Sequence, residues 1–180
     1  MKTALVLFAQ GSEELEAVTI VNILRRGGIA VTLAGLTAGA LQGARGITLT
    51  PDTTLDAVLH ERFDMIVLPG GQPGTNHLKA DERVLALAKA MSKQEKYVAA
   101  ICAAPSVLAA AGLLDGKQAT SYPGSLDGFQ NIHLKTTAVV EDGKLITSRG
   151  PGTAMDFALI LLERLAGAAK RHEVETSLVR

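Results

Sequence analysis

The chain has 180 residues, 47% of them hydrophobic, and its 18 lysines and arginines balance 18 aspartates and glutamates. That length suits one domain, residues 1–180, with a full core, and zero net charge removes the long-range field that would gather nucleic acid or a membrane surface. A single cysteine, Cys102, excludes an internal disulfide and any multi-cysteine metal site.

Lys2 runs straight into a short strand with no cleavage site after it. The expected compartment is therefore the reducing cytoplasm. Ala4 to Phe8 is apolar without alternation, which predicts a strand over Thr3–Ala9 covered on both faces. Gln10-Gly11 turns the chain into a helix that runs to about Arg26 and stops at Gly27-Gly28. Ser12 is read as its N-cap, Glu13 and Glu14 as acids of its first turn, and Val18, Ile20, Ile23 and Leu24 as its core face. With a strand over Ile29–Ala34 this makes a βαβ unit, hence a parallel pair joined by a right-handed crossover.

A small hairpin within a Gly/Ala-rich turn over residues 36–45 precedes strands at Ile47–Thr50 and Asp64–Leu68, the latter ending in Pro69-Gly70-Gly71. A helix over Asp81–Lys93 leads to the β-prone run Tyr97–Ile101. A second helix, Ala103–Gly112, follows Cys102 with Pro105 tolerated in its first turn. Then come a short strand at Gln118–Ser121, a hairpin around Glu141-Asp142-Gly143, a loop at Ser148–Thr153, a long helix to Leu165, and an amphipathic helix over Ala168–Val179. The alternation predicts an α/β three-layer sandwich, a mainly parallel sheet with helices on both faces.

In such sheets the site lies outside the carboxyl ends of the strands. Three loops should meet there: Gln10–Glu16, Pro69-Gly70-Gly71, and the strand-to-helix turn at Cys102. That turn has the mechanics of a nucleophile elbow, with small Ala100 and Ala104 where the serine version has glycines. Amides at a helix start lower a thiol's pKa. A lone cysteine in an apolar run is equally read as a small core filler, and the local pattern leaves both readings open. Glu16 lies within reach of the crevice as a proton carrier for the thiol. Against that stands the reading of Glu13, Glu14 and Glu16 as solvated acids complementing a helix dipole. Gly70 and Gly71 allow close backbone approach, and the amides of Gly71 and Ala103 are candidates for an oxyanion hole. His60, His77, His133 and His172 show no ligand spacing and are read as exposed, the first three in polar loops; His77 is the one nearest the glycines. Gly150-Pro151-Gly152-Thr153 is a helix-start turn without the lysine of a phosphate loop.

Taken together, Gly11-Ser12-Glu13-Glu14 with Glu16, Leu68-Pro69-Gly70-Gly71, Ala99-Ala100-Ile101-Cys102-Ala103, and Thr147-Ser148-Arg149-Gly150-Pro151-Gly152-Thr153 resemble the ThiJ/PfpI superfamily. The nearest branch is that of the Parkinsonism-associated deglycase and bacterial YajL, and the resemblance spans essentially the whole chain. It implies a flavodoxin-like fold, a homodimer, Cys102 as an oxidisable nucleophile, and Glu16 hydrogen-bonded to it. It also implies Gly71 and Ala103 as oxyanion-hole amides, with Gly70, Tyr122, Arg45 and Pro151 lining the site. Arg26 and Arg45 match basic residues near the family's dimer interface, Arg45 approaching the cysteine loop from across it. Tyr122 stands where many members have a histidine, which removes the base of a Cys/His protease. The activity implied is a glyoxalase or deglycase acting on methylglyoxal, glyoxal or their early glycation adducts, with no metal or organic cofactor. The alternative is an oxidative-stress sensor or redox-regulated chaperone working through oxidation of Cys102 without turnover.

Overall fold

The computed structural model describes residues 1–180. Strand β1 (Thr3–Phe8) is buried from Ala4 onward because helices cover both its faces. Helix α1 (Glu14–Arg26) carries Glu14 and Glu16 in its first turn and Arg25 and Arg26 in its last, the charge order its dipole favours. It ends at Gly27, and Gly28, at φ +77°, turns the chain into β2 (Ala30–Gly35). The two-residue strands β3 (Leu41–Gln42) and β4 (Thr48–Leu49) form a small hairpin, but not one contained in residues 36–45: its second arm is the segment expected as a separate strand at Ile47–Thr50. After β5 (Thr53–Thr54) and the one-turn α2 (Leu55–Val58) come β6 (Met65–Leu68), α3 (Gly74–Ala80), α4 (Glu82–Lys93) and β7 (Tyr97–Ile101). The remainder is α5 (Pro105–Ala110), β8 (Gln118–Ala119), β9 (His133–Leu134), β10 (Val139–Asp142), β11 (Leu145–Ser148), α6 (Ala154–Ala166) and α7 (Ala168–Ser177).

Seven strands form one sheet in the order β10-β11-β7-β6-β1-β2-β5, parallel throughout except where β10 pairs antiparallel with β11. One apolar layer joins a sheet face to α1 and α6 through Ile20, Leu24, Phe157 and Leu161. The other joins the opposite face to α3, α4 and α5 through Leu78, Val84, Val107 and Leu108. This is the α/β three-layer arrangement expected. No helix is long and apolar enough to cross a membrane.

Several local expectations are corrected. Ser12 does not cap α1; its Oγ accepts from the Ala9 amide at 3.1 Å and closes the preceding turn, and Glu13 holds the N-cap position. Val18 is 48% exposed, whereas Glu13, Glu14 and Glu16 are buried, so they are not solvated acids. Helix α3 occupies residues expected to be loop and carries His77, and β9 carries His133; all four histidines are exposed, as expected. The helix after Cys102 is shorter than its alanines suggest, starting at Pro105.

Candidate active site

Strands β7, β6 and β1 are neighbours, so the three loops leaving their carboxyl ends emerge side by side. Cys102 sits at the crest of the β7–α5 turn with φ 64°, a left-handed conformation that costs a non-glycine residue about 1–2 kcal/mol. The backbone is pinned there on both sides. The Cys102 amide donates to the Ser148 carbonyl at 3.0 Å, and its carbonyl accepts from the Tyr122 amide at 2.7 Å. The residue is 7% exposed and the thiol is free. The elbow is real, and it borders an opening rather than the core alone.

Gly70 explains how the β6 loop comes so close. A Cβ on it would lie 2.6 Å from Cys102 Cβ and 2.9 Å from the Ile101 carbonyl oxygen. Gly71, at φ +85°, occupies backbone space that L side chains rarely adopt, and a Cβ there would collide with Glu13. The amides of Gly71 and Ala103 are not used in the backbone network and favour negative charge on the sulfur.

Glu16 projects from the first turn of α1 and is fully buried. Its Oε2 accepts from the Gly70 amide at 2.7 Å, while Oε1 has no hydrogen-bond partner. Burial raises its pKa to about 7, with the charge of Glu13 adding, against the opposing pull of the Gly70 amide hydrogen bond and the neighbouring Cys102 thiol. Cys102 is pushed up to about 12, by burial first and by the charge on Glu16 second. The expected depression of the thiol is thus overturned. The Gly71 and Ala103 amides pull in the expected direction but are outweighed by desolvation and a neighbouring carboxylate. The resting pair keeps its proton on sulfur, with a base beside it whose proton affinity matches neutral pH.

A cavity of about 360 Å³ opens over the sulfur, lined by Glu13, Ala44, Arg45, Gly71, Gln72, Cys102, Ala103, Tyr122, Ser125 and Pro151. Gly71, Ala103, Arg45, Tyr122 and Pro151 therefore meet at Cys102 as expected; Gly70, expected in the lining, instead lies behind Cys102 with its amide turned to Glu16. Arg45 lies at the mouth of its own chain's cavity, 80% exposed, with Nε 3.8 Å from Glu13 Oε2. Its expected route from across an interface is not needed to bring it there. His77 lines a different hollow, its Nδ1 2.8 Å from the Gln10 carbonyl oxygen. The sequence reading gave Glu13, Ala44, Gln72 and Ser125 no role in the site. Glu13 was legible in principle, lying three residues before Glu16 and hence on the same helix face. Gln72 and Ser125 carry no such signal.

The fold and site define a class: a doubly wound α/β protein with a cysteine on a strained strand–helix elbow, set against a buried glutamate and two free amides. The chain belongs to the DJ-1/PfpI family, which it matches over residues 2–164. It is 45% identical to protein dj-1beta of Drosophila melanogaster, with 99% of this chain and 97% of that protein covered. It is 34% identical to the glutathione-independent glyoxalase DJR-1.2 of Caenorhabditis elegans, covering 96% and 94%. Among solved structures it resembles Drosophila melanogaster DJ-1beta with a TM-score of 0.96 (45% identity, 99% and 97% covered). The oxidised DJ-1 of Toxoplasma gondii superposes with a TM-score of 0.95 (35% identity, 99% and 98% covered).

Proposed function

We propose that the protein is a cysteine-dependent glyoxalase that converts methylglyoxal, glyoxal or their early adducts on amines and thiols, with no metal or organic cofactor. The observation that carries this reading is the pairing of Cys102 with a buried Glu16 whose pKa is about 7, beneath a small cavity edged by two unused amides. A base poised near the working pH is what general catalysis at sulfur requires. A related protein is a glutathione-independent glyoxalase.

Glu16 takes the thiol proton as Sγ attacks the aldehyde carbon. The amides of Gly71 and Ala103 hold the oxygen that becomes negative, and Glu16 returns the proton to it, giving a hemithioacetal. Glu16, again a carboxylate, then removes the C1 hydrogen and delivers it to C2 while the C1 hydroxyl proton passes to the C2 oxygen, leaving a lactate thioester on Cys102 that water hydrolyses. Tyr122, 52% exposed at the rim, offers no imidazole base, so peptide hydrolysis is not part of the proposal.

The test is a steady-state assay with methylglyoxal in large excess and lactate quantified. Wild type should turn over many times, whereas Cys102→Ser and Glu16→Gln should each fall at least about 100-fold. Consumption that stops at one equivalent would instead favour the second reading, a redox sensor or redox-regulated chaperone. That reading is supported by the same Glu16, which when protonated can donate to an oxidised sulfur.

We further propose a homodimer. Leu15, Val18 and Ile47 are 51%, 48% and 59% exposed and lie together around a hollow that shares Glu13 and Arg45 with the cysteine cavity. An apolar patch beside a site is a natural place for a second copy.

A further inference from the structure

Among the residues lining the cysteine cavity there is one acid, Glu13, and the chemistry above leaves it idle. Its side chain is only 8% exposed, yet its carboxylate accepts no hydrogen bond. Its nearest cation, the Arg45 guanidinium, stands 3.8 Å away on a side chain that is 80% exposed, a loose and solvent-screened pair. The backbone of the residue is held firmly: its amide donates to the Gly70 carbonyl at 2.8 Å, and its own carbonyl accepts from the Ala17 amide at 3.1 Å. A carboxylate nine-tenths buried, with no hydrogen-bond donor and only the loose Arg45 pair beside it, is left with unused acceptor capacity at the wall of the cavity, a deficit that water reaching the cavity meets only in part. A hydroxyl on a bound molecule would offset it.

Resting on the glyoxalase reading, we propose that Glu13 is the proton relay between the two oxygens of the bound dicarbonyl. In the hemithioacetal, C1 carries a hydroxyl and C2 a carbonyl. When Glu16 removes the C1 hydrogen, the C–H electron pair forms the C1–C2 double bond and the C2 carbonyl pair moves onto its oxygen. Glu13 takes the proton from the C1 hydroxyl and gives it to the C2 oxygen, ending as the carboxylate it began as. The C1–O bond then closes to a carbonyl as C2 takes the proton held by Glu16. C1 is oxidised from aldehyde to acyl and C2 reduced from ketone to alcohol, so no outside oxidant or reductant enters. Two carboxyl groups divide the work: Glu16 moves hydrogen between carbons, Glu13 between oxygens. Both project from the start of α1, Glu13 at its N-cap and Glu16 in its first turn.

The experiment compares wild type, Glu13→Gln and Glu13→Asp with methylglyoxal. Three quantities are followed: steady-state lactate, the intact mass of the protein during turnover, and the rate of Cys102 alkylation by iodoacetamide. Glutamine keeps the shape but cannot carry the proton. Glu13→Gln should therefore alkylate like wild type, lose about 100-fold in kcat with KM little changed, and accumulate one methylglyoxal mass on Cys102. Glu13→Asp, which keeps a carboxylate, should recover at least about tenfold of that loss. Wild-type kcat in Glu13→Gln, or its loss together with adduct formation and without recovery by Glu13→Asp, overturns the relay while wild-type lactate keeps the glyoxalase reading. Wild type that forms no lactate overturns the reading beneath it and the relay with it.

Discussion

At the scale of single residues, Gly70 is glycine for want of space rather than for a special backbone angle. Added at that position, a Cβ meets Cys102 Cβ at 2.6 Å, Ile101 oxygen at 2.9 Å and Ala103 nitrogen at 3.0 Å, two of them backbone atoms that cannot swing away. Gly70→Ala should therefore cost about 1–3 kcal/mol in urea unfolding and misalign the Ala103 amide, slowing methylglyoxal turnover more than it changes substrate affinity. Glu16 supplies a prediction of opposite sign to the usual carboxylate. Its pKa rises from 4.5 unfolded to about 7 folded, so the native state binds its proton more tightly. Stability from this group is lowest above pH 7, grows as pH falls from about 7 toward 4.5, and is then fully present. Measured between pH 8 and 5, wild type should gain stability on acidification relative to Glu16→Gln. A difference between the two that stays flat over that window would mean Glu16 is not buried as described. Asp64, lowered to about 2 against burial by the Thr3 amide, Lys96 and Lys2, acts in the other direction and only below that window.

At the scale of elements, the β3–β4 hairpin is fastened to α1 by Glu14. Its Oε1 accepts from the amides of Arg45 at 3.0 Å and Ile47 at 3.2 Å. Burial alone would raise its pKa, yet these bonds, with those of the Glu14 and Ala44 amides, leave it lowered. Glu14→Ala strands those amides and should cost roughly 1–3 kcal/mol. Faster hydrogen exchange at Ile47 is the sensitive readout, and under the proposed function slower methylglyoxal turnover should follow, because Ala44 and Arg45 ride on the same loop. Elements built on long uniform signals were legible in the sequence: the apolar run of β1, the α1 stop at Gly27-Gly28, and the Tyr97–Ala104 elbow. Those decided by tertiary contact were not. Pro73 and Gly74 conceal α3, which exists because Leu78 is buried in the core and because Gly74 packs its bare Cα against Ser12. Val18 was misassigned because helical periodicity marks an apolar residue without saying whether the chain itself covers it. The site residues Cys102, Glu16, Gly71 and Ala103 lie where topology placed their loops. The protonation of the pair was not legible, since it depends on how deeply Glu16 is buried.

At the scale of the whole molecule, the proposed homodimer would tie assembly to chemistry through the apolar patch bordering the site. Leu15 and Val18 sit on α1, and Ile47 on the hairpin that Glu14 fastens to it, so the patch belongs to two elements held at one angle. Glu13 and Arg45 line both this hollow and the cysteine cavity, so a copy docked on the patch would press on the side of the mouth where the loose Arg45–Glu13 pair lies. Docking would dehydrate that pair and strengthen it, since screening falls as water leaves. Val18→Glu puts a charge at the centre of the patch without touching either core layer. It should leave thermal unfolding of the subunit cooperative while shifting sedimentation from dimer to monomer. If the partner's pressure on Arg45 shapes the mouth, the monomer should also show a raised KM for methylglyoxal at a kcat within about threefold, because the Cys102–Glu16 pair lies inside one chain. A variant that stays dimeric places the interface elsewhere on the surface. One that turns monomeric with unchanged KM separates the assembly from the site.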